Sequence, residues 1–183
     1  MKTETLRTDY NAVYQAWCVF RKGKRPSRAI DEFAYNLENN VAELAAELTN
    51  ETYRHGGYQK VIIAEKKRRD LAVADVLDRV IHRLLYDHLV KQFDSSFDPD
   101  VWSYRLGKGL HKCLVRTQNL LQKHQTGYVW RADITKFFDN VDHRRLMDCL
   151  RRIIGHDIAA LELCREVIAS YQVLTVEVSR LAI

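Results

Sequence analysis

"WRADITKFFDNVDHRRL", residues 130–146, is the stretch on which the fold turns. An apolar approach, Tyr128-Val129-Trp130, leads to Asp133. A Phe-Phe pair follows at 137–138, then Asp139, Asp142, His143 and two arginines. The aromatic and β-branched approach predicts a strand over 128–134, and Asp142 before a periodic stretch predicts a helix over 142–154. An acid at the outward end of a buried strand is costly unless it meets a cation or hydrogen-bond donors. Two-metal phosphoryl transfer places carboxylates at such ends, where they hold two magnesium ions roughly 3.5–4 Å apart. Spacing alone leaves a plainer reading beside it. Asp133 then ends a surface strand, and Asp139 or Asp142 caps a helix.

Composition bounds the reading. The chain has 183 residues, enough for one good core and a small subdomain. Hydrophobic residues are 46% and charged residues 29%, ordinary for a soluble globular protein. No run of eighteen apolar residues is present and the first ten lack an apolar signal core, so the expectation is a cytoplasmic protein with no membrane segment. Cys18, Cys113, Cys149 and Cys164 form no CxxC pair, which argues against a zinc site or a disulfide framework. The net charge is +5 and the pI about 9.0, which permits a polyanion partner without demanding one. Two clusters say more: "FRKGKRPSR" (20–28) and "EKKRR" (65–69). Each alone reads as a solvated turn. Together with Arg105, Lys108 and Lys112 they predict a face that follows phosphates.

Working outward, the pattern is mostly helical. Residues 9–20 place Tyr10, Val13, Tyr14 and Trp17 at helical spacing, and 29–49 read as one long helix through Phe33, Leu37, Val41, Leu44 and Leu48. After Gly56-Gly57, residues 58–65 and 70–74 predict a hairpin with "KKRR" at its turn. A helix over 75–92 turns Val76, Val80, Leu84 and Leu85 inward. Residues 93–109 are a loop, 110–124 a helix, and 157–171 the last helix. No repeat or linker interrupts the chain.

"ADITKFFDNVDHRRL" closely resembles the first palm motif of bacterial reverse transcriptases, those of group II introns, retrons and diversity-generating retroelements. Other stretches agree in order. "FRKGK" is similar to that family's opening fingers segment. "KKRRDLAVADVLDRVIHRLLYDHL" resembles its fingers hairpin and the helix after it, and "SYRLGKG" its Ser-Tyr-x-x-Arg-x-Gly-Lys-Gly loop. The resemblance covers about residues 14–170. It implies an α+β fold with helical fingers and a basic β-hairpin over 1–125, then a partial split β-α-β palm over 126–171. It further implies an RNA-directed DNA polymerase using magnesium, with an RNA template, a DNA primer or hybrid, and a dNTP as partners. Asp133 matches the first catalytic carboxylate, and the Ile134 carbonyl a further metal ligand. Phe138 matches the aromatic under the incoming sugar, which rejects a 2′-hydroxyl. Its plainer reading, a core residue, suits Phe137 better. Arg69 matches the arginine that clamps the triphosphate, with Lys67 as a second cation. Arg105 and Lys108 resemble residues that hold template or primer backbone, and Lys24 and Arg25 belong to the basic fingers segment. Asp78 and Arg79 read as a structural pair, and Asp139 and Asp142-His143 as loop and cap residues.

The family supplies its remaining carboxylates from a later Tyr-x-Asp-Asp hairpin, preceded by a motif similar to Gly-Ile-Pro-Leu/Ile-Gly-Asn. No Asp-Asp pair occurs in this chain. The expectation is a palm lacking its later strands and a thumb, inactive alone, with an open strand edge that favours self-association. The alternative is a non-catalytic module that binds nucleic acid or a partner. Residues 172–183 fit the family poorly and are expected to pack poorly. Glu177 to Ile183 can be spelled GAG GTA TCC CGA TTG GCA ATT. Read from the third base, this gives Gly-Ile-Pro-Ile-Gly-Asn, so the tail is expected to be a frameshifted remnant of a longer reverse transcriptase.

Overall fold

Asp9 opens the first helix. Its carboxylate accepts from the N–H groups of Asn11 (3.0 Å) and Ala12 (3.2 Å). The computed structural model describes residues 4–64 and 68–180, with backbone alone at 63–64, 68–70, 139 and 172–180. Helix α1 spans Tyr10–Arg21 and buries Val13, Ala16, Trp17 and Phe20. Tyr10 and Tyr14, expected on the same face, instead stack on each other at its margin, with ring centroids 6.3 Å apart.

The stretch expected to form one helix over 29–49 is two. Helix α2 spans Arg28–Tyr35 and α3 spans Leu37–Thr49, with Asn36 between them at φ −114°, ψ 36°. Asparagine chemistry explains the break. The Asn40 amide donates to the Phe33 carbonyl at 2.9 Å, and the Asn39 amide to Asn36 Oδ1 at 2.9 Å. Such local bonds offer the backbone an alternative to continuing the helix. The apolar positions still face inward: Ile30, Phe33, Val41, Leu44 and Leu48 are buried.

Strands β1 (Tyr58–Ala64) and β2 (Arg68–Ala74) pair antiparallel, Tyr58 opposite Ala74 and Ala64 opposite Arg68. The hairpin is therefore tighter than expected. Arg68 and Arg69 belong to β2 rather than to the turn, and 65–67 lie outside the described residues. Helix α4 (Val76–Phe93) then packs on α1, with Val80, Ile81, Leu84 and Leu85 buried in the shared core. Full burial of a large apolar side chain contributes roughly 1.5–3 kcal/mol. A short turn at Asp94–Ser96 begins the loop that ends at α5 (Leu110–Lys123). Helices α6 (His143–Ile154) and α7 (Ile158–Arg180) pack on each other and on α4. Ile154, Ala160, Leu161, Leu163 and Cys164 join the same core as α1–α4, and burial pushes the Cys164 thiol up to about 11. Helix α7 continues past the expected end at 171. The side chains of 172–180, and all of 181–183, lie outside the described residues, as does the expected poor packing of that tail.

The fold is thus α+β, mostly helical with a small two-stranded sheet. One expected strand is missing. Residues 128–134 form no strand and have no ladder partner, and Tyr128, Val129 and Trp130 are 105%, 79% and 87% exposed. An isolated strand has no partner for its N–H and C=O groups and leaves them to water. Among the described residues, no helix is long and apolar enough to cross a membrane.

Two buried acids tie the elements together. Asp78 accepts from the Tyr53 hydroxyl (2.7 Å) and the Gly56 N–H (3.1 Å). It does not form the expected pair with Arg79, whose guanidinium lies over the Phe20 ring at 5.5 Å. Adjacent helical residues point about 100° apart, so only one of them can face the 53–58 segment. Burial and the Asp78 carboxylate together hold the Tyr53 phenol far above its ordinary range. The second acid, Asp157, accepts from Leu6 N–H (2.6 Å) and Ala160 N–H (3.1 Å) and stands 2.9 Å from His88 Nε2.

Around Asp78 lies a pair of histidines, with Nε2 of His55 3.0 Å from Nε2 of His82. The His55 Nδ1 faces the Gly56 carbonyl at 2.7 Å and must donate to it. At the His55–His82 contact one Nε2 donates and the other accepts. The His55 N–H in turn donates to Glu166 on α7 at 2.9 Å, so the contact joins loop 50–57 to α4 and α7. Burial, then His55 and Arg79, push His82 below 6.5, against the pull of Asp78. The unfolded chain takes up this proton near pH 6.5 and the folded chain resists it, so stability falls as pH drops below about 6.5. Urea midpoints between pH 7.5 and 5 are expected to decline, and His82→Gln to flatten that decline. An unchanged slope in the variant counts against the pair as the cause.

Candidate nucleic-acid interface

The turn after the 128–134 segment is set by Lys136, which sits in the left-handed region at φ 49°. A side chain adopts that conformation only where its surroundings hold it there. Asn140 supplies the hold, donating its N–H (3.2 Å) and its amide (2.9 Å) to the Lys136 carbonyl. Phe137 and Phe138 meet edge to face, 5.4 Å between centroids. Phe138 is 82% exposed and Ile134 65%, and Asp133 is exposed as well. Asp133, Ile134 and Phe138 therefore lie on one open stretch of surface chain. Phe137, read as core, is 51% exposed. Asp142 is a helix cap: it accepts from the Arg145 N–H at 3.0 Å, and that bond holds its carboxyl below the usual range. The side chain of Asp139 lies outside the described residues.

A two-ion site needs several anionic oxygens converging on both ions. Here the donor set is the Asp133 carboxylate and the Ile134 carbonyl. Among the described residues, no group of three or more His, Cys, Asp or Glu could hold a metal. These residues do not fit a two-magnesium centre by themselves.

The loop from 94 to 109 is braced from within. Arg105 donates from Nε to Asp94 Oδ1 (2.8 Å), from Nη2 to the Asp94 carbonyl (2.8 Å) and from Nη1 to the Asp98 carbonyl (3.0 Å). Its side chain is 12% exposed. The shared bond raises Arg105 and holds the Asp94 carboxyl low. Lys108 bonds the Pro99 carbonyl and lies 4.4 Å from the Trp102 ring centroid. Arg116 of α5 grips Asp100 with two bonds of 2.9 Å. The structure thus brings Arg105 and Lys108 into one loop, where both organise its shape. Tyr104, at φ 55° and 91% exposed, and Leu106, 96% exposed, are what the loop presents to solvent.

Lys24 and Arg25 are exposed, with Lys24 Nζ 4.3 Å from the Phe20 ring centroid. Arg21 donates to the Lys24 carbonyl at 2.9 Å and fixes the turn at Gly23 (φ 73°). Arg69 lies in β2 opposite Ile63, its side chain outside the described residues together with all of Lys67.

Sequence reasoning missed the acceptors in "FDSSFDPD", whose aspartates stand 5–11 residues before Arg105 and carry no periodic signal. It also missed the two buried aspartates as hubs. A scan against protein-family models finds no match for this chain, and a search of curated proteins finds none either.

Proposed function

We propose that this chain carries the fingers and the first palm motif of an RNA-directed DNA polymerase and binds an RNA template with its primer or hybrid. The observation that carries the reading is the order of four motifs along the chain: "FRKGK", the basic hairpin with its helix, "SYRLGKG" and "ADITKFFDNVDHRRL". The geometry supports it. Asp133 and Phe138 share an exposed stretch whose 128–134 backbone lacks a ladder partner, open to further strands. In this reading Asp133 contributes one carboxylate and the Ile134 carbonyl a second oxygen to magnesium. Arg69 and Lys67 meet the triphosphate, Phe138 the sugar, and Lys24, Arg25 and Lys108 the nucleic-acid backbone. Arg105 shapes the loop that carries Lys108. One carboxylate cannot hold two metals, so the chain alone performs no nucleotidyl transfer. The test is fluorescence anisotropy with a labelled RNA–DNA hybrid. Saturable binding is expected, and its absence at high micromolar protein and low salt overturns the reading.

A second reading, a non-catalytic partner-binding module, is favoured by a different observation. Helix α5 buries none of its residues; Leu110, Leu114, Val115 and Leu121 are exposed, as are Tyr128, Val129, Trp130 and Phe138 after it in the chain. Apolar exposure on this scale favours association. Sedimentation velocity is expected to show concentration-dependent oligomers, shifted toward monomer by Trp130→Ser with Phe138→Ser. A wild-type chain that stays monomeric at 100 μM, an order-of-magnitude ceiling for weak contacts, excludes it.

A further inference from the structure

We propose that the groove between α6 and α7 is a second nucleic-acid contact, which takes the phosphate backbone of an unpaired strand. It rests on the nucleic-acid reading above but uses none of the residues assigned there.

Helix α6 reads "HRRLMDCLRRII", with four arginines against one aspartate, and all four are exposed. Arg144 and Arg151 are seven residues apart, two turns, so they lie on one face about 10.5 Å apart along the axis. Arg145 and Arg152 repeat that spacing on the adjoining face. The first pair lines a groove of about 350 Å³ whose other wall carries Arg165 from α7. Apolar Met147, Ile168 and Ala169 share the lining, together with His143 and Asp148. Three arginines beside apolar lining suit a sugar-phosphate chain, with cations on phosphate and aliphatic surface against the sugar or an unstacked base. The volume suits about one nucleotide at a time, as a single strand presents it.

The acids nearby do not close the groove. Asp148 pairs with Arg151 at 2.6 Å and Glu162 with Arg165, both i,i+3 pairs whose side chains are about half exposed. Exposed pairs of this kind contribute roughly 0–1 kcal/mol, so phosphate can displace either carboxylate. Arg144 gives its N–H and part of its charge to the Asp142 carboxylate, and no side-chain hydrogen bond or ion pair of its guanidinium is seen among the described residues. The amphipathic pattern of α6 is satisfied by Ile154 and its apolar neighbours against the core, so its arginines are not needed for packing. An acidic protein surface would also be attracted to these cations. The apolar lining beside the arginines favours a nucleic-acid strand, whose sugars and bases offer apolar faces at each phosphate.

The experiment titrates labelled single-stranded oligo-uridine against the wild-type chain and against Arg144→Glu with Arg151→Glu, from 50 to 200 mM salt. The double variant is expected to bind about tenfold or more weakly, with a salt slope shallower by about 1.4 for two lost single-strand phosphate contacts. Arg144→Lys with Arg151→Lys is expected to keep the wild-type slope. Circular dichroism checks the fold. If the charge reversal unfolds the chain, Arg144→Gln and Arg165→Gln, read singly, are each expected to reduce the slope by about 0.7. Wild-type binding that the groove variants leave unchanged in affinity and slope overturns this inference and leaves the hybrid-binding reading standing. No wild-type binding to either oligo-uridine or the hybrid overturns both.

Discussion

Asp157→Ala is expected to lower the unfolding free energy by about 3–5 kcal/mol, the range for removing one partner of a buried charged network. The residue is 2% exposed and serves three elements at once. Its Oδ1 caps α7 through the Ala160 N–H (3.1 Å), and its Oδ2 takes the Leu6 N–H (2.6 Å) from the N-terminal segment. His88 Nε2, on α4, stands 2.9 Å from the same oxygen at ion-pair distance, without the alignment of a hydrogen bond. Loss of a cap alone costs about 1 kcal/mol. Here the deletion also strands the buried Leu6 N–H, and such an orphan costs about 1–3 kcal/mol. Urea denaturation measures the loss. Asp142→Ala, at the exposed cap of α6, provides the scale and is expected to cost about 1 kcal/mol. Equal losses in the two variants count against Asp157 as a hub.

Affinity for an RNA–DNA hybrid is expected to fall at least about tenfold between 50 and 200 mM salt, because several cations each release condensed counterions from phosphate. The candidate cations differ in freedom. Lys24 and Arg25 are exposed on a turn, whereas Arg105 is 12% exposed and held by Asp94 and Asp98. Lys24→Glu with Arg25→Glu is therefore expected to flatten the salt dependence. Arg105→Gln is expected to act through the loop instead, lowering affinity together with the stability of residues 94–109. Affinity indifferent to salt points to the partner-module reading.

Much of the helical scaffold was legible in the sequence. Val76, Val80, Leu84 and Leu85 repeat at helical spacing and are all buried in α4. The same rule joined α2 to α3 because apolar periodicity continues through Asn36, while the break is made by amide hydrogen bonds to the backbone. The strand at 128–134 failed for a different reason. Its residues have strand propensity, but a strand exists only by pairing, and no neighbour is present for Tyr128–Trp130 in the described chain. Sequence reasoning makes Asp78 structural but pairs it with Arg79, and passes over Asp157 altogether, because their partners, Tyr53, Gly56, Leu6 and His88, are distant in sequence. Of the candidate site, the exposed positions of Asp133 and Phe138 agree with a surface role. The structural role of Arg105 depends on Asp94 and Asp98, which no spacing rule connects to it.

The central claim is that Asp133 is the first catalytic carboxylate of a reverse-transcriptase palm. Its most direct test is RNA-templated primer extension with magnesium. The polypeptide to assay carries Gly-Ile-Pro-Ile-Gly-Asn in place of Glu177–Ile183 and continues through a Tyr-x-Asp-Asp hairpin, beside the 183-residue chain. DNA synthesis is expected from the extended polypeptide, with abolition by Asp133→Ala, and none from the 183-residue chain. Synthesis by the short chain, or synthesis by the extended polypeptide that survives Asp133→Ala, would contradict this role.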